Sequence, residues 1–212
     1  MIDIHAHYIP QVDDGSECLE SSISMLKEAI SNGVTDVICT PHFRKPFTAP
    51  YSEIKRHYDL LNKTIKEQGL KINLYLGREI YCTKDLYNSL NQDNLSMCNS
   101  KYILLEFSNE NSDDIPQIVY DVKLKGFLPI VAHIERYCNL TIEDIIDVKN
   151  AGALIQVNAS SIFGKDKKYF KKKIKNLFYE NLVDFVASDI HEDRVNYMGK
   201  AYKYVLKKYG FK

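Results

Sequence analysis

Short apolar runs alternate with longer amphipathic segments along the whole chain. The apolar runs are rich in Val, Ile and Tyr and have the length of β-strands. They lie at Ile2–His5, Thr35–Cys39, Lys71–Tyr75, Tyr102–Phe107, Leu128–Ala132, Leu154–Val157 and Val183–Val186. The segments between them repeat apolar residues every three or four positions, as helices that cover a core do. The pattern therefore predicts seven strand–helix units.

Capping residues and glycines set the expected helix boundaries. The first predicted helix has an apolar face made of Leu19, Ile23, Leu26 and Ile30. It ends near Gly33, which is a common C-terminal stop. The other predicted helices span 52–69, 86–90, 115–124, 141–152, 167–177 and 194–208. The helix at 141–152 begins with Thr141 and Asp144 in the spacing of a capping box.

Alternation of this kind places the chain in the α/β class, with a parallel sheet and right-handed crossovers. Seven units could close as a barrel with one unit fewer than the usual eight. An open doubly wound sheet is the competing architecture. The sequence has no G-x-G-x-x-G after the first strand and no G-x-x-x-x-G-K-[ST]. Loops that cradle nucleotide phosphates are therefore not expected.

Acids and imidazoles follow the predicted strands at the end where parallel barrels build their active sites. These residues are His5, His7, His42, Glu79, Glu106, His133, Asp189 and His191, and Asp14 follows the first strand. Strand six contributes only Gln156 and Asn158, which are poor metal ligands. His57 is the histidine outside this pattern; it lies in the middle of a helix and is interpreted as a surface residue.

This set of residues predicts a metal centre. Imidazole and carboxylate groups suit Mn²⁺, Fe²⁺ and Zn²⁺, and burying so many ionisable groups without a cation would be costly. The set is larger than one tetrahedral zinc can use. A carboxylate such as Glu79 can bridge two ions, and ions about 3.5–4 Å apart suit phosphoester chemistry.

Two arginines are candidates for phosphate binding. Arg136 comes three residues after His133, and Arg194 comes three residues after His191. A guanidinium fork matches phosphate oxygens and offsets charge that develops in phosphoryl transfer. The alternative is an ion pair of each arginine with a neighbouring Glu135 or Glu192.

Length and composition predict one domain, residues 1–212, of an ordinary globular protein. The formal net charge is +0, which argues against nucleic-acid binding. A lysine-rich stretch at 165–175 is interpreted as a solvated helix face, with an anionic partner as the alternative. The five cysteines include no C-x-x-C, and no signal-peptide pattern or membrane-length apolar run occurs. We therefore expect a cytoplasmic protein that does not insert into membranes.

Several motifs, taken in order, resemble those of the polymerase-and-histidinol-phosphatase (PHP) superfamily. They are Asp3-Ile4-His5-Ala6-His7, Asp13-Asp14-Gly15, Thr40-Pro41-His42, Glu79, His133-x-Glu135-Arg136-Tyr137, Asn158-Ala159 and Ser188-Asp189-x-His191. Within it, the chain is most similar to the manganese-dependent protein-tyrosine phosphatases of bacterial capsule and exopolysaccharide operons. The order of the motifs carries this resemblance, because each motif alone is weak.

The resemblance implies a distorted (β/α)₇ barrel with up to three divalent ions. His5, His7, Glu79 and Asp189 would hold one ion, Glu79, Glu106 and His133 a second, and Asp14, His42 and His191 a third. Asp3 would orient a ligand from outside these sets. Mn²⁺ is the expected ion, with Fe, Zn, Co and Mg as alternatives.

The resemblance also implies hydrolysis of phosphotyrosine by a hydroxide that bridges two ions. The expected catalytic residues are Arg136, Arg194, His42 and Asp14, and the two arginines would bind the phosphate. The expected partner is a membrane-associated bacterial tyrosine kinase that controls polysaccharide synthesis. Alternatives are a small-molecule phosphatase acting on histidinol phosphate, a nuclease and a non-catalytic metal-binding module. The chain departs from the family pattern at Ile134, where proline is common, and in the short spacing from His191 to Arg194.

Overall fold

The computed structural model describes residues 1–44, 48–83, 86, 90, 95–109 and 114–210. Within these residues the strands are β1 Ile2–Ala6, β2 Asp36–Cys39, β3 His42–Phe43, β4 Asn73–Leu76, β5 Glu79–Tyr81, β6 Tyr102–Glu106, β7 Leu128–Val131, β8 Leu154–Asn158 and β9 Phe185–Ala187. Each of the seven predicted strands is present. The second and third are each followed at once by a further short strand, β3 or β5.

The breaks between β2 and β3 and between β4 and β5 have local causes. Pro41 separates β2 from β3, and proline has no N–H to donate to a neighbouring strand. Gly77 separates β4 from β5, where a Cβ would lie 3.2 Å from Cγ2 of Ile38 and 3.3 Å from Cα of Met97. The breaks bend the sheet so that His42 and Glu79 begin new strands.

The strands are parallel and form two sheets, in the orders β1-β2-β4 and β3-β5-β6-β7-β8-β9. The chain continues from β2 into β3 and from β4 into β5, and the ladder continues across both breaks, because Gly77 N–H donates to Cys39 O at 2.9 Å and Glu79 N–H donates to Pro41 O at 3.3 Å. The far edges also meet, since Ala6 bridges Ile190 and Asp189 N–H donates to His5 O at 2.8 Å. Seven strand positions thus close on themselves, and the distorted (β/α)₇ barrel is confirmed.

The described helices lie between the strands. They are α1 Leu19–Ser31, α2 Tyr51–Glu67, α3 Ile115–Leu124, α4 Ile142–Ala151, α5 Ala159–Ile162, α6 Lys168–Tyr179 and α7 Met198–Tyr209. The capping box of Thr141 and Asp144 at α4 is confirmed. Most of the helix predicted at 86–90 lies outside the described residues.

The last helix begins later than predicted. Arg194 lies in a turn, where its N–H donates to His191 O at 3.1 Å. The Asn196 side chain then accepts the N–H of Met198, the first residue of α7, at 2.9 Å. The segment 191–197 is therefore a loop, and it lies at the carboxyl end of β9.

The interpretation of His57 as a surface residue was wrong. His57 is only 5% exposed and shares the inner face of α2 with Ile54, Leu61 and Ile65. The spacing of 3, 4 and 4 places it on the buried stripe, whereas Tyr58 lies at the edge of that stripe. Its Nε2 lies 2.7 Å from the Arg56 guanidinium, and burial lowers the pKa of its imidazole.

Candidate metal centre

The ends of the strands and the loops that follow them bring the predicted ligands into one cluster, which is buried except for Asp14. His5 and His7 lie two residues apart on extended backbone, so their side chains point to the same side. Their Nε2 atoms are 3.3 Å apart. His133 and Asp189 follow β7 and β9 in left-handed backbone, with φ of 34° and 48°. Non-glycine residues seldom adopt this conformation and often do so at functional sites.

The candidate ligand atoms fall into three overlapping groups, within each of which they lie at most 4.8 Å apart. The groups are His5, His7, Glu79 and Asp189; His7, Asp14, His42 and His191; and His42, Glu79 and Glu106. His7, His42 and Glu79 each belong to two groups. Shared ligands of this kind would place neighbouring ions close together.

Glu79 lies at the centre of the cluster. Its Oε2 is 3.3 Å from His5 Nε2, 3.4 Å from His7 Nε2 and 3.0 Å from His42 Nδ1. Its Oε1 lies 2.9 Å from His133 Nε2. Burial opposes the charge of this carboxylate, but the surrounding imidazoles, first His5, hold its pKa well below the ordinary value. Glu79 is therefore placed to bridge two cations.

Two of the three implied ligand sets lie close together in the structure, while the ligand roles themselves stay predictions. The set of His5, His7, Glu79 and Asp189 recurs unchanged, and Asp14, His42 and His191 recur with His7 added. The third group pairs Glu79 and Glu106 with His42. His133 contacts Glu79 directly, and its role as a ligand stays a prediction.

The cluster fits divalent cations by its donor chemistry. Among the described residues, the buried Glu106 Oε2 and the buried His133 Nδ1 have no hydrogen-bond partner. Burial and the charge of Glu79 raise the pKa of Glu106 to about 7. An unpartnered buried oxygen on a carboxyl that resists ionisation indicates a place where positive charge belongs.

Asp13, which was not predicted as a site residue, fixes the orientation of His7. Its Oδ2 lies 2.8 Å from His7 Nδ1, so the opposite nitrogen, Nε2, faces the cluster. The same Oδ2 accepts the backbone N–H of His42 at 3.1 Å. A carboxylate behind an imidazole is the usual partner of a histidine that binds a metal. In the sequence, the signal that could have identified Asp13 is its position directly before the candidate ligand Asp14.

Strand β8 supports the cluster although it supplies no candidate ligand. Gln156 Oε1 lies 3.2 Å from His5 Nδ1 and accepts the N–H of His133 at 2.8 Å. Asn158 Nδ2 donates to Asp189 Oδ2 at 2.8 Å. Asp3 accepts the backbone N–H groups of Ser188 and His5, and so ties β1 to the end of β9. The two amides fix the candidate ligands without adding charge.

Both candidate arginines reach the same carboxylate. Arg136 Nη2 lies 2.6 Å from Asp189 Oδ2, and Arg194 Nη1 lies 3.4 Å from that atom and 3.1 Å from Asp189 O. Glu135 and Glu192, the alternative ion-pair partners predicted for these arginines, contact other groups. Glu135 accepts the Asn158 N–H, and Glu192 accepts the hydroxyl hydrogen of Ser21. The two arginines therefore border the metal cluster, in positions where they could meet a phosphate.

The matching family profile is "Capsular polysaccharide synthesis, CpsB/CapC", and the match runs over residues 1–212. A curated relative, "Tyrosine-protein phosphatase CpsB" of Streptococcus agalactiae serotype III, is 35% identical over 99% of the chain and 91% of the relative. The chain belongs to the CpsB/CapC family. The resemblance predicted from the ordered motifs is thereby confirmed.

Solved structures agree with membership of the CpsB/CapC family. The chain superposes with a TM-score of 0.91 on a structure from a study of YwqE from Bacillus subtilis and CpsB from Streptococcus pneumoniae, described as unique metal-dependent tyrosine phosphatases. That match has 31% identity and covers 99% of this chain and 88% of the other. Histidinol phosphate phosphatase from Lactococcus lactis has a TM-score of 0.68 over 100% and 94% of the two chains, and at 15% identity it shares the fold alone. Within the described ranges, no helix is long and apolar enough to cross a membrane.

Proposed function

We propose that this CpsB/CapC protein is a metal-dependent protein-tyrosine phosphatase. The observation that carries the proposal is the carboxylate of Asp189, which touches the imidazole cluster with one oxygen and two arginines with the other. Its Oδ1 lies 3.4 Å from His5 Nε2, and its Oδ2 lies 2.6 Å from Arg136. A centre for divalent ions is thus joined to a phosphate-binding edge. The names of the relatives support the same activity.

The nine candidate ligands would hold two or three ions. The residues are His5, His7, Asp14, His42, Glu79, Glu106, His133, Asp189 and His191. We propose Mn²⁺, because mixed imidazole and carboxylate ligands without thiolate suit a borderline ion. When bound, divalent ions lower the pKa of the attacking water and polarise the phosphoryl oxygens.

The residues of the chain bind and orient the phosphate. Arg136 is largely buried, with 22% of its side chain exposed, and Arg194 is more open at 39%. We propose that Arg136 holds the phosphoryl group in position and that Arg194 closes on it from the solvent side. Each would exchange part of its contact with Asp189 for hydrogen bonds to phosphate oxygens, whose negative charge the guanidinium offsets.

Asp14 and His42 form the mouth of the centre. The Asp14 side chain is 46% exposed, and its Oδ1 lies 3.2 Å from His42 Nε2 and 3.4 Å from His191 Nε2. Burial opposes the charge of His42, but Asp14 and Glu79 outweigh it and raise its pKa to about 9. We propose that both residues act as ligands on the open side of the centre, where the phenolic product leaves.

The substrate we propose is phosphotyrosine on a membrane-associated bacterial tyrosine kinase that controls polysaccharide synthesis. The family description supports a role in capsule formation. A cytoplasmic location is part of the proposal, and the five free cysteines fit a reducing compartment. We also propose that residues 1–212 act as one catalytic domain.

Hydrolysis of p-nitrophenyl phosphate, a phosphotyrosine peptide and histidinol phosphate tests the proposal. Each substrate is assayed with Mn²⁺, with chelator, and after Mn²⁺ is restored. We expect metal-dependent turnover with kcat/KM highest for the peptide. A higher kcat/KM for histidinol phosphate would contradict the protein substrate, and equal turnover in chelator would contradict the metal centre.

A further inference from the structure

A cavity of about 260 Å³ lies beside the metal centre and outside the cluster of ligands. Its lining includes Lys165, Asp166, Arg194, Val195 and Tyr197. The mechanism proposed above uses only Arg194 among these residues. We call this cavity the side pocket.

The side pocket adjoins the reaction centre through a single guanidinium. Arg194 lines the pocket, and its Nη1 also contacts Asp189, one of the candidate ligands. Ser188 and Ile190, the two residues that flank Asp189, line the pocket as well. A group in the pocket would therefore lie one side chain away from a phosphate held by Arg194.

The charge of the lining favours a single carboxylate. Lys165 and Arg194 contribute two positive charges, and Asp166 contributes one negative charge. Asp166 is held in place by the hydroxyls of Ser160 and Ser161. The remaining charge of +1 matches a carboxylate better than a second phosphate dianion, which the Asp166 carboxylate would oppose.

Apolar and aromatic groups complete the side pocket. Val195 is 60% exposed and offers an aliphatic contact at the rim. The Tyr197 ring lies below Lys165, with Nζ 6.0 Å from its centroid. A pocket with a cation above a ring and an aliphatic rim suits the short stem and carboxylate of an amino-acid side chain.

We infer that the side pocket binds an aspartate or glutamate next to the phosphotyrosine of the substrate, with Lys165 as the residue that selects it. This inference rests on the proposed phosphatase activity and adds a sequence preference to it. Lys165 acts on substrate choice and takes no part in the chemical step. Replacing Lys165 should therefore change kcat/KM for peptides and leave kcat/KM unchanged for a substrate without flanking residues.

The test compares phosphotyrosine peptides whose neighbouring residue, on either side, is Asp, Asn or Lys. For the wild-type protein we expect kcat/KM about fivefold higher for Asp than for Asn on at least one side, as for one partly exposed ion pair. Lys165→Glu should reverse the preference toward Lys. It should leave p-nitrophenyl phosphate turnover and the melting temperature close to wild type.

The matched control is Lys71→Glu, because Lys71 is exposed and precedes β4 at the opposite end of the barrel. This variant should retain the wild-type preference. Equal kcat/KM for Asp and Asn peptides on both sides, with p-nitrophenyl phosphate still hydrolysed, would overturn the side pocket and leave the phosphatase intact. Failure to hydrolyse every phosphate substrate would overturn both proposals together.

Discussion

The Arg136 guanidinium lies 2.6 Å from Oδ2 of Asp189, a carboxylate whose other oxygen faces the histidine cluster. Burial opposes the charge of Asp189, but Arg136, the strongest of its cationic neighbours, holds its pKa well below the ordinary value. One arginine thus keeps a candidate metal ligand ionised and borders the place where phosphate would bind. Loss of this residue should therefore affect both functions, and the two effects can be separated.

Replacing Arg136 should impair catalysis more than metal binding. We expect Arg136→Lys to lower kcat by about 100-fold, because lysine retains the charge near Asp189 but loses the planar fork that matches phosphate. Steady-state kinetics with a phosphotyrosine peptide, together with elemental analysis of bound metal, measure the two effects.

The control for this substitution is Arg56→Lys on α2, where Arg56 contacts His57 and lies away from the cluster. Its kcat should match that of the wild-type protein. If Arg136 served only to support Asp189, the Arg136→Lys variant would turn over at close to the wild-type rate once Mn²⁺ is in excess. That result would remove Arg136 from the phosphate-binding role.

Metal removal should abolish turnover and lower the melting temperature. At a free ion concentration about 100 times Kd, binding stabilises the folded state by about 2.7 kcal/mol, which corresponds to roughly 5–10 °C for a chain of this size. Differential scanning calorimetry with chelator and with Mn²⁺ measures the shift. Identical melting curves in the two conditions, with elemental analysis showing no metal after chelation, would argue against an ion at the cluster.

The sequence was sufficient to predict residues whose positions follow from strand order. His5, Glu79 and Asp189 lie far apart in the chain, but His5 lies near the end of β1, Glu79 comes after β4 and Asp189 comes after β9. Parallel strands in one barrel present those ends at the same mouth. The convergence of these residues needs only the correct strand assignment, and that assignment came from apolar runs.

Residues that act through loops or hydrogen bonds could not be predicted in the same way. Asp13 reaches His7 because the loop folds back at Gly15, where a Cβ would lie 2.3 Å from His7 Cβ. Gln156 supports His5 through a neighbouring strand. Neither contact has a periodic signature, since each depends on the path of the backbone in space. The burial of His57 is different, because it could have been predicted. Its spacing from Ile54 and Leu61 places it on the apolar face of α2 despite its polarity.

Removing the negative charge behind His7 should weaken metal binding. We expect Asp13→Asn to lower the affinity for Mn²⁺ by about 10- to 100-fold, because the amide no longer supports the basicity and orientation of His7. At saturating Mn²⁺, kcat should stay near the wild-type value. Activity measured as a function of metal concentration separates the two parameters.

A suitable comparison is Asp147→Asn, since Asp147 is exposed on α4. It makes the same chemical change without reaching the cluster, so its metal dependence should follow that of the wild-type protein. An Asp13→Asn variant with unaltered metal affinity would show that His7 does not need this carboxylate.

The metal-free protein should lose stability as the pH rises from about 6.5 to about 9. The pKa of His42 is raised from 6.5 to about 9 in the folded state, so its protonation stabilises the fold fully below about 6.5 and not above about 9. The pKa of His7 is also raised, because Asp13 and other acids outweigh its burial. Glu106, with a pKa raised to about 7, adds to the loss at the lower end of this range.

Bound Mn²⁺ should reverse this dependence, because ions compete with protons for the same imidazole nitrogens. The gain in melting temperature on adding Mn²⁺ should therefore increase between about pH 6.5 and about pH 9. Thermal melts at several pH values, with and without chelator, measure it, and His42→Gln should flatten the metal-free profile. If the metal-free melting temperature rose across this range, the charge on His42 would not be what stabilises the cluster, and its contact with Asp14 would need another explanation.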